Sequence, residues 1–443
     1  MRPVRGIPGA DFAVEDVRGA FPDEIEIKAI NRPVDATVRV PGSKSITNRA
    51  LLIAALADGA STIENPLFSD DSYWLMEALV RLGFRVRADH EAGTATIGGQ
   101  RGIIPRSGAE VFVGNAGTVA RFLPPVLALG EGLYTVDGVE RMRERPVADL
   151  VGAMRSLGVE VGYVGEEGRF PIFVRGGGIR GGAVSVRGTE SSQFLSCLLM
   201  AAPYAREPVK LRVKGGLVSR PYVGITTGMM RSFGVEVEES DGEFSVPLGV
   251  YGAREYAVEP DASGASYFFA AAALTGGRVK VPGLGASSPQ GDLRFVEVLR
   301  EMGCDVGVGA DFVEVLGPRG KLRGIEADMN EISDTMITLA AMAPFASTPT
   351  TITNVAHTRK QETDRIAAVS AELRRLGVEV EERHDGLRIT PGEVKPALIH
   401  TYGDHRMAMA FSLVGLVVPG IRVEDPSCVT KTLPEYFKLL GSL

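Results

Sequence analysis

Apolar residues at helical spacing recur along the chain in segments that stop at a glycine and pass straight into an alternating strand pattern. The segments are LMEALVRLGFRVR (75–87), LVGAMRSLGVEV (150–161), MMRSFGVEVEES (229–240), LRFVEVLREMGCDV (293–306) and VSAELRRLGVEV (369–380). Their glycines, Gly83, Gly158, Gly234, Gly303 and Gly377, return about every 70 to 75 residues, and a truncated sixth copy, YFKLLG, ends at Gly441. Each reads as an amphipathic helix closed by a residue able to take the left-handed cap conformation. A second series is apolar on nearly every face: ITNRALLIAALADG, TVARFLPPVLALGEG, SQFLSCLLMAAPYA, ASYFFAAAALTGG, TMITLAAMAPFA and HRMAMAFSLVGLVVPG. Helices without a polar face belong inside a domain. Strands such as DATVRV, ATIGG, GAVSVRG and DFVEVLG fill the intervals. The period exceeds that of the common solenoids and predicts a whole supersecondary unit, βαβ with additional strands, used six times.

The 443 residues exceed one ordinary core, so the six units are expected to divide into two α/β domains of three. With 44% hydrophobic and 23% charged residues the chain is of folded, globular composition. A formal charge of -7 speaks against nucleic acid or an anionic membrane as partner, though not against a locally basic cleft. Cys197, Cys304 and Cys428 are too few and too scattered for a disulfide framework or a thiolate zinc site. Residues 1–22 lack the apolar stretch of a signal peptide, and the run Met407–Ile421 is too short to span a bilayer, so a cytoplasmic location is expected.

Chemistry concentrates where the apolar helices begin: PGSKSITNR (41–49), GNAGTVAR (114–121), TESSQF (189–194), EPDASGAS (259–266), NEISDTM (330–336) and YGDHRMAM (402–409). Capping explains their Ser, Asp and Asn residues. It does not explain Lys44, Arg49, Arg121 and Arg406, since cations oppose the helix dipole at that end unless an anion lies between. Arg145, Arg220 and Arg365 begin helices of the other series; the plain salt-bridge reading, to neighbours such as Glu144 or Asp364, would account for any one of them but is strained as an account of the set, which an anionic ligand explains together. Asp334, in EISDTM, and Glu362, in RKQETDR, are candidate acid/base groups; His405 is another, unless Asp404-His405-Arg406 only holds the arginine. The chain contains no G-x-x-x-x-G-K-[ST], H-E-x-x-H or G-x-S-x-G motif, and GGGIRGG (176–182) reads as a turn.

PGSKSITNRALLIAALADG, GNAGT, RMRERP, SSQF, LVSRPY, DASGASY, ETDRI, DHRMAM and DP-x-C-x-x-K-T follow one another in the order of the 5-enolpyruvylshikimate-3-phosphate synthase family of enolpyruvyl transferases, which the chain resembles from about Ile25 to its end. The resemblance implies an inside-out α/β barrel architecture: two similar domains, each of three βαβαββ units, linked by two crossovers. The expected division is a tail (1–22), a discontinuous domain (23–42 with 262–443) and an inserted domain (43–261), with the active site in the cleft between domains. It implies transfer of the carboxyvinyl group of phosphoenolpyruvate to the 5-hydroxyl of shikimate 3-phosphate through a tetrahedral intermediate, by a monomer with no cofactor and no metal. Lys44, Ser45, Arg49, Ser191, Ser192, Gln193, Ser219, Tyr222, Asp334 and Gln361 would attend shikimate 3-phosphate. Lys44, Gly117, Arg121, Arg145, Gln193, Arg365, Arg406 and Lys431 would surround phosphoenolpyruvate. Asp334, Glu362 and Lys44 would share the proton transfers and stabilise the departing phosphate.

Three positions depart from the family pattern. Gln361 stands where many members carry a lysine before the glutamate, with Lys360 one residue earlier; His357 replaces a common asparagine; and Phe122 follows Arg121 where proline is usual. Two alternatives stay open at this level. One is transfer of the same group to UDP-N-acetylglucosamine, whose enzymes use a loop cysteine with no obvious counterpart here. The other is a catalytically inactive binding paralogue, for which Gln361 is the best argument.

Overall fold

The computed structural model describes residues 21–443, so the tail assigned to 1–22 lies outside the described residues but for its last two positions. Two compact units make up the chain: Lys44–Val258 and, among the described residues, 21–43 together with Glu259–Leu443. The backbone passes from one to the other at 43/44 and again at 258/259.

Among the described residues each unit contains three sheets, and five of the six are built to one plan. In the first unit, Ala109–Phe112 runs parallel to Leu133–Asp137, which pairs antiparallel with Ile172–Arg175, and that strand with Glu160–Tyr163. The apolar helix Gly117–Leu127 forms the crossover between the parallel pair, and Ala148–Ser156 leads from the second strand to the hairpin. The same order, β-α-β-α-β-β, threads Gly182–Arg187, Val209–Lys214, Glu238–Ser240 and Glu243–Val246. In the second unit it threads Glu326–Asp328, Thr350–Thr353, Glu379–Arg383 and Gly386–Thr390.

The other sheets take a strand from far away in sequence. Asp58–Glu64, Arg85–Asp89 and Thr94–Gln100 receive their parallel first strand from Glu255–Ala257, in the register Tyr256 to Ile63. In the second unit Asp35–Thr37 lies parallel to Arg278–Pro282, with Ala36 opposite Val279. The shortest sheet joins Leu398–Ile399, Arg422–Glu424 and Glu24–Glu26, the last of these antiparallel. Phe21 packs edge-on against Phe437 beside it.

The six apolar segments are helical and buried: Lys44–Leu56, Gly117–Leu127, Ser192–Ala201, Ala262–Thr275, Met336–Met342 and His405–Gly415. In Ala262–Thr275 every residue from Ala262 to Ala273 is buried, which its lack of a polar face requires. Gly83, Gly158, Gly234, Gly303 and Gly377 all have φ between 83° and 106°, where a Cβ would be strained. Gly441 breaks the rule: it is the last residue of Tyr436–Gly441 and has no left-handed backbone. The start NEISDTM is also not a simple helix start. Asn330–Thr335 forms a 3-10 turn kinked at Ile332, and the α-helix begins only at Met336.

Among the described residues no helix is long and apolar enough to cross a membrane.

Candidate active site

The second unit holds a dense charge network centred on Arg365, the first residue of Arg365–Arg375. Its guanidinium reaches Asp404 (2.8 Å from Nε), Glu362 (2.9 Å from Nη2) and Asp334 (3.1 Å from Nη1), and also donates to Gln361 Oε1. Arg406 holds the other oxygen of Asp334 at 2.6 Å and donates to Tyr267 Oη at 3.3 Å. Lys431 Nζ stands 3.8 Å from Glu362 Oε1. Burial by itself would lower the pKa of Arg365, but Asp404, Glu362 and Asp334 outweigh it and raise it, so the cation is locked in its charged form. The Tyr267 hydroxyl is pushed up to about 12, chiefly by burial.

These partners correct the plain salt-bridge reading. Asp364 does not pair with Arg365. It caps the helix by accepting from Ala367 N at 3.0 Å and binds Arg359 at 2.9 Å. Asp334 is no helix cap either: both oxygens face arginines, and the cap position of Met336–Met342 is Thr335. Asp404 does both, accepting from Arg406 N at 2.9 Å while pairing with Arg365. His405 is wholly buried beside Asp404, with Nδ1 3.4 Å from Oδ1, which suits support of the network rather than contact with a ligand.

In the first unit, Lys44 opens the Lys44–Leu56 helix with its ammonium 3.7 Å from Asp71. Arg49, one turn on, donates to Thr226 Oγ1 (2.7 Å), Ser45 O (2.9 Å), Tyr222 O (3.1 Å) and Ser196 Oγ (3.4 Å). Ser191 caps Ser192–Ala201, accepting from Gln193 N at 3.2 Å, so for this serine the capping role is realised. Ser219 lies at φ 50°, just ahead of Pro221–Ser232, and Tyr222 offers its carbonyl to Arg49. Arg121 folds back over its own turn onto Gly117 O (3.1 Å) and reaches Pro146 O (3.4 Å). Arg145 is buried against Gly117: a Cβ built there would lie 2.6 Å from Arg145 Nη1. Glu144 pairs with Arg141 instead of Arg145, and Arg220 is exposed and bound to Glu239, as the plain reading of that arginine has it.

The structure thus joins Asp334, Gln361, Glu362, Arg365, Arg406 and Lys431 in one network of the second unit. In the first unit it brings Arg49 to Ser45 and Tyr222, and Gly117 to Arg121 and Arg145, while Arg220 stands apart on Glu239. Sequence reasoning missed Asp71, Ser196, Thr226 and Asp292. Asp292 is buried in the turn Gly291–Arg294 and bonded to Ser263; burial first, then the charge of Asp334, raise its pKa to about 7. His357, bonded to Ser333 Oγ at 2.9 Å, is lowered to about 4 by burial. An acidic pair in SDDSYW was the only sequence signal for Asp71, and nothing local marked Thr226. Among the described residues no group of three or more His, Cys, Asp and Glu is arranged to hold a metal ion.

Comparison with known proteins gives this arrangement its context. A family model described as EPSP synthase (3-phosphoshikimate 1-carboxyvinyltransferase) matches residues 28–440. The 3-phosphoshikimate 1-carboxyvinyltransferase of a Nostoc species is 51% identical over 417 residues, covering 94% of this chain and 98% of that protein. The enzyme of that name from Nitrosomonas europaea is 49% identical over 414 residues, 92% and 95% of the two chains. Among solved structures, EPSP synthase from Acinetobacter baumannii superposes with a TM-score of 0.79 at 24% identity, covering 95% of this chain and 98% of that one. The enolpyruvyl transferase NikO from Streptomyces tendae gives 0.73 at 18%, covering 94% and 96%. At these identities the two structures show the shared fold: two similar α/β domains of enolpyruvyl transferase architecture.

Proposed function

The chain belongs to the EPSP synthase (3-phosphoshikimate 1-carboxyvinyltransferase) family, and from that premise we propose how its residues divide the work. It is an enzyme that transfers the enolpyruvyl group of phosphoenolpyruvate to shikimate 3-phosphate, in the biosynthesis of aromatic amino acids. On this proposal, the acceptor's 5-hydroxyl adds to C2 of phosphoenolpyruvate as a proton reaches C3. The tetrahedral adduct then loses phosphate and returns a proton from the new methyl group. Asp334 takes the hydroxyl proton, Glu362 exchanges the proton at carbon, and Lys44 stabilises the departing phosphate.

The observation that carries this assignment is that one guanidinium, Arg365, touches both carboxylates, Asp334 at 3.1 Å and Glu362 at 2.9 Å. Two groups that must act on neighbouring atoms are thereby kept within one side chain's span. The arrangement also suggests how the carboxylates are released for chemistry. Asp334 occupies donors of Arg365 and Arg406. A substrate carboxylate or phosphate competes for those planar, bidentate donors. As the arginines turn to the incoming anion, Asp334 is freed to accept a proton, and the same cations remain to stabilise charge in the adduct.

Gln361 fits this scheme as a neutral acceptor on Arg365, a place a lysine could not fill. In the first unit, Ser45, Arg49, Ser191, Ser192, Gln193, Ser219 and Tyr222 are assigned to the acceptor. Gly117, Arg121 and Arg145, with Arg365, Arg406 and Lys431 of the second unit, are assigned to phosphoenolpyruvate.

The deciding experiment incubates the purified chain with phosphoenolpyruvate and either shikimate 3-phosphate or UDP-N-acetylglucosamine, following phosphate and the enol ether. Phosphate and enol ether should appear in equal amounts with shikimate 3-phosphate. Release only with the nucleotide sugar, or binding without turnover, would overturn the reading.

A further inference from the structure

The acceptor set of the first unit contains a buried cation whose partners are all neutral. Arg49 is 2% exposed and donates to two hydroxyls and two backbone carbonyls, and burial lowers its pKa to about 10. One face of the guanidinium is covered by the Phe122 ring, whose centroid lies 5.0 Å from Arg49 Cζ. Phe122 is itself fully buried, on the Gly117–Leu127 helix. A phenyl face carries negative quadrupole potential and attracts a cation most where water is excluded. An aliphatic side chain of similar size fills the space but supplies none of that attraction.

The bonds of Arg49 give this stack a geometric consequence. Nη1 holds the carbonyl of Ser45, at the start of Lys44–Leu56, and Nη2 that of Tyr222, at the start of Pro221–Ser232. Nε and Nη2 also bind Thr226 and Ser196, whose hydroxyls bond each other at 2.9 Å. One guanidinium therefore ties three helices, and a fourth supplies the aromatic face that holds it.

We propose that Phe122 is a positioning residue for the acceptor. Its ring fixes the Arg49 guanidinium, and Arg49 in turn fixes the Ser45 and Tyr222 backbone on which shikimate 3-phosphate binding depends. The inference rests on the acceptor assignment made above, and its test separates the two.

Phe122 is replaced by phenylalanines of increasing fluorination, which weaken the ring's quadrupole at nearly constant volume, and by leucine. Acceptor dissociation constants are measured by calorimetry, and kcat and both KM values at steady state. The acceptor dissociation constant should rise stepwise with fluorine count and about five- to tenfold in Phe122→Leu, with kcat and the phosphoenolpyruvate KM held within twofold. Arg49→Gln should weaken acceptor binding at least tenfold, and adding Phe122→Leu to it should cost nothing more. Normal acceptor binding by Arg49→Gln would refute the acceptor assignment itself. Weakened binding by Arg49→Gln, with a flat fluorination series or additive effects in the double variant, would refute the role of Phe122 alone. Should Phe122→Leu not fold, the fluorinated series decides by itself.

Discussion

At the scale of single residues the second unit's network is a set of competing partners. Asp334 shares its two oxygens between Arg365 and Arg406, and the same arginines are assigned to the substrate anion. Asp334→Asn should therefore lower kcat about 100-fold or more, the usual loss for a removed acid/base group. The phosphoenolpyruvate KM should stay level or fall, because the competitor for the arginines has lost its charge. Steady-state kinetics would check this, and a raised KM with normal kcat would contradict it. Gln361→Lys puts a cation where Arg365 now finds an acceptor; a severalfold drop in the KM of a phosphorylated substrate is expected, and unchanged kinetics would show that the position is not a lever.

Two buried groups nearby act oppositely on stability. Asp292 has its folded pKa raised from 3.8 to about 7, so the folded state keeps a proton that the unfolded chain releases, and stability falls as pH rises from about 4 to 7. His357, lowered from 6.5 to about 4, loses stability as pH falls through that interval. Their slopes oppose each other between about 4 and 6.5. Asp292→Asn removes the first, so its melting temperature should climb with pH more steeply than the parent's across that window. Parallel melting curves would dismiss the shift.

At the scale of elements, the starts of the buried helices differ in how they are closed. Asp261 caps its helix by accepting from Gly264 N at 2.7 Å, and Asp404 and Ser191 cap theirs, whereas Gly117–Leu127 follows Ala116 with no side-chain cap. Arg145 lies against that uncapped end, where an anion would be doubly favoured by dipole and cation. A methyl group at Gly117 would collide with Arg145 Nη1 at 2.6 Å and Nη2 at 2.9 Å, the movable end of a long side chain. Gly117→Ala should thus barely change the melting temperature, while the phosphoenolpyruvate KM rises about tenfold through displaced Arg145. An unaltered KM would mean that Arg145 does not serve this substrate. The helix periods and glycine stops of these elements were legible beforehand because both are local. The kinked turn before Met336 was not, since nothing in NEISDTM separates a 3-10 turn from a helix start until Asp334 is pulled toward two arginines.

At the scale of the whole molecule, each unit closes a sheet with a strand from a distant part of the chain. Glu255–Ala257 completes the sheet of Asp58–Glu64, so residues 44–258 contain every strand of their own three sheets. Expressed alone, 44–258 should unfold in one cooperative denaturant transition, and a fragment ending at 250 should be markedly less stable, having lost the parallel edge strand. A non-cooperative transition in 44–258 would show that the unit depends on the rest of the chain. The second unit makes the converse demand: Asp35–Thr37 and Glu24–Glu26 must come from the other end of its chain.

The repeated unit, the two classes of helix and the polar groups at the buried helix starts were all written into the order of residues, because each depends on spacing within one or two turns. Together with the ordered motifs, that was enough to place the chain in its family. Which charges meet was left to the folding of the chain in three dimensions. Arg365 passed over its neighbour Asp364 for Asp334 and Asp404, 31 and 39 residues away, and Arg49 settled among neutral acceptors under the face of Phe122. A guanidinium selects partners by distance and direction in space, and those follow from which strands pair across a sheet, a matter on which a local period of 3.6 or 2 residues carries no information.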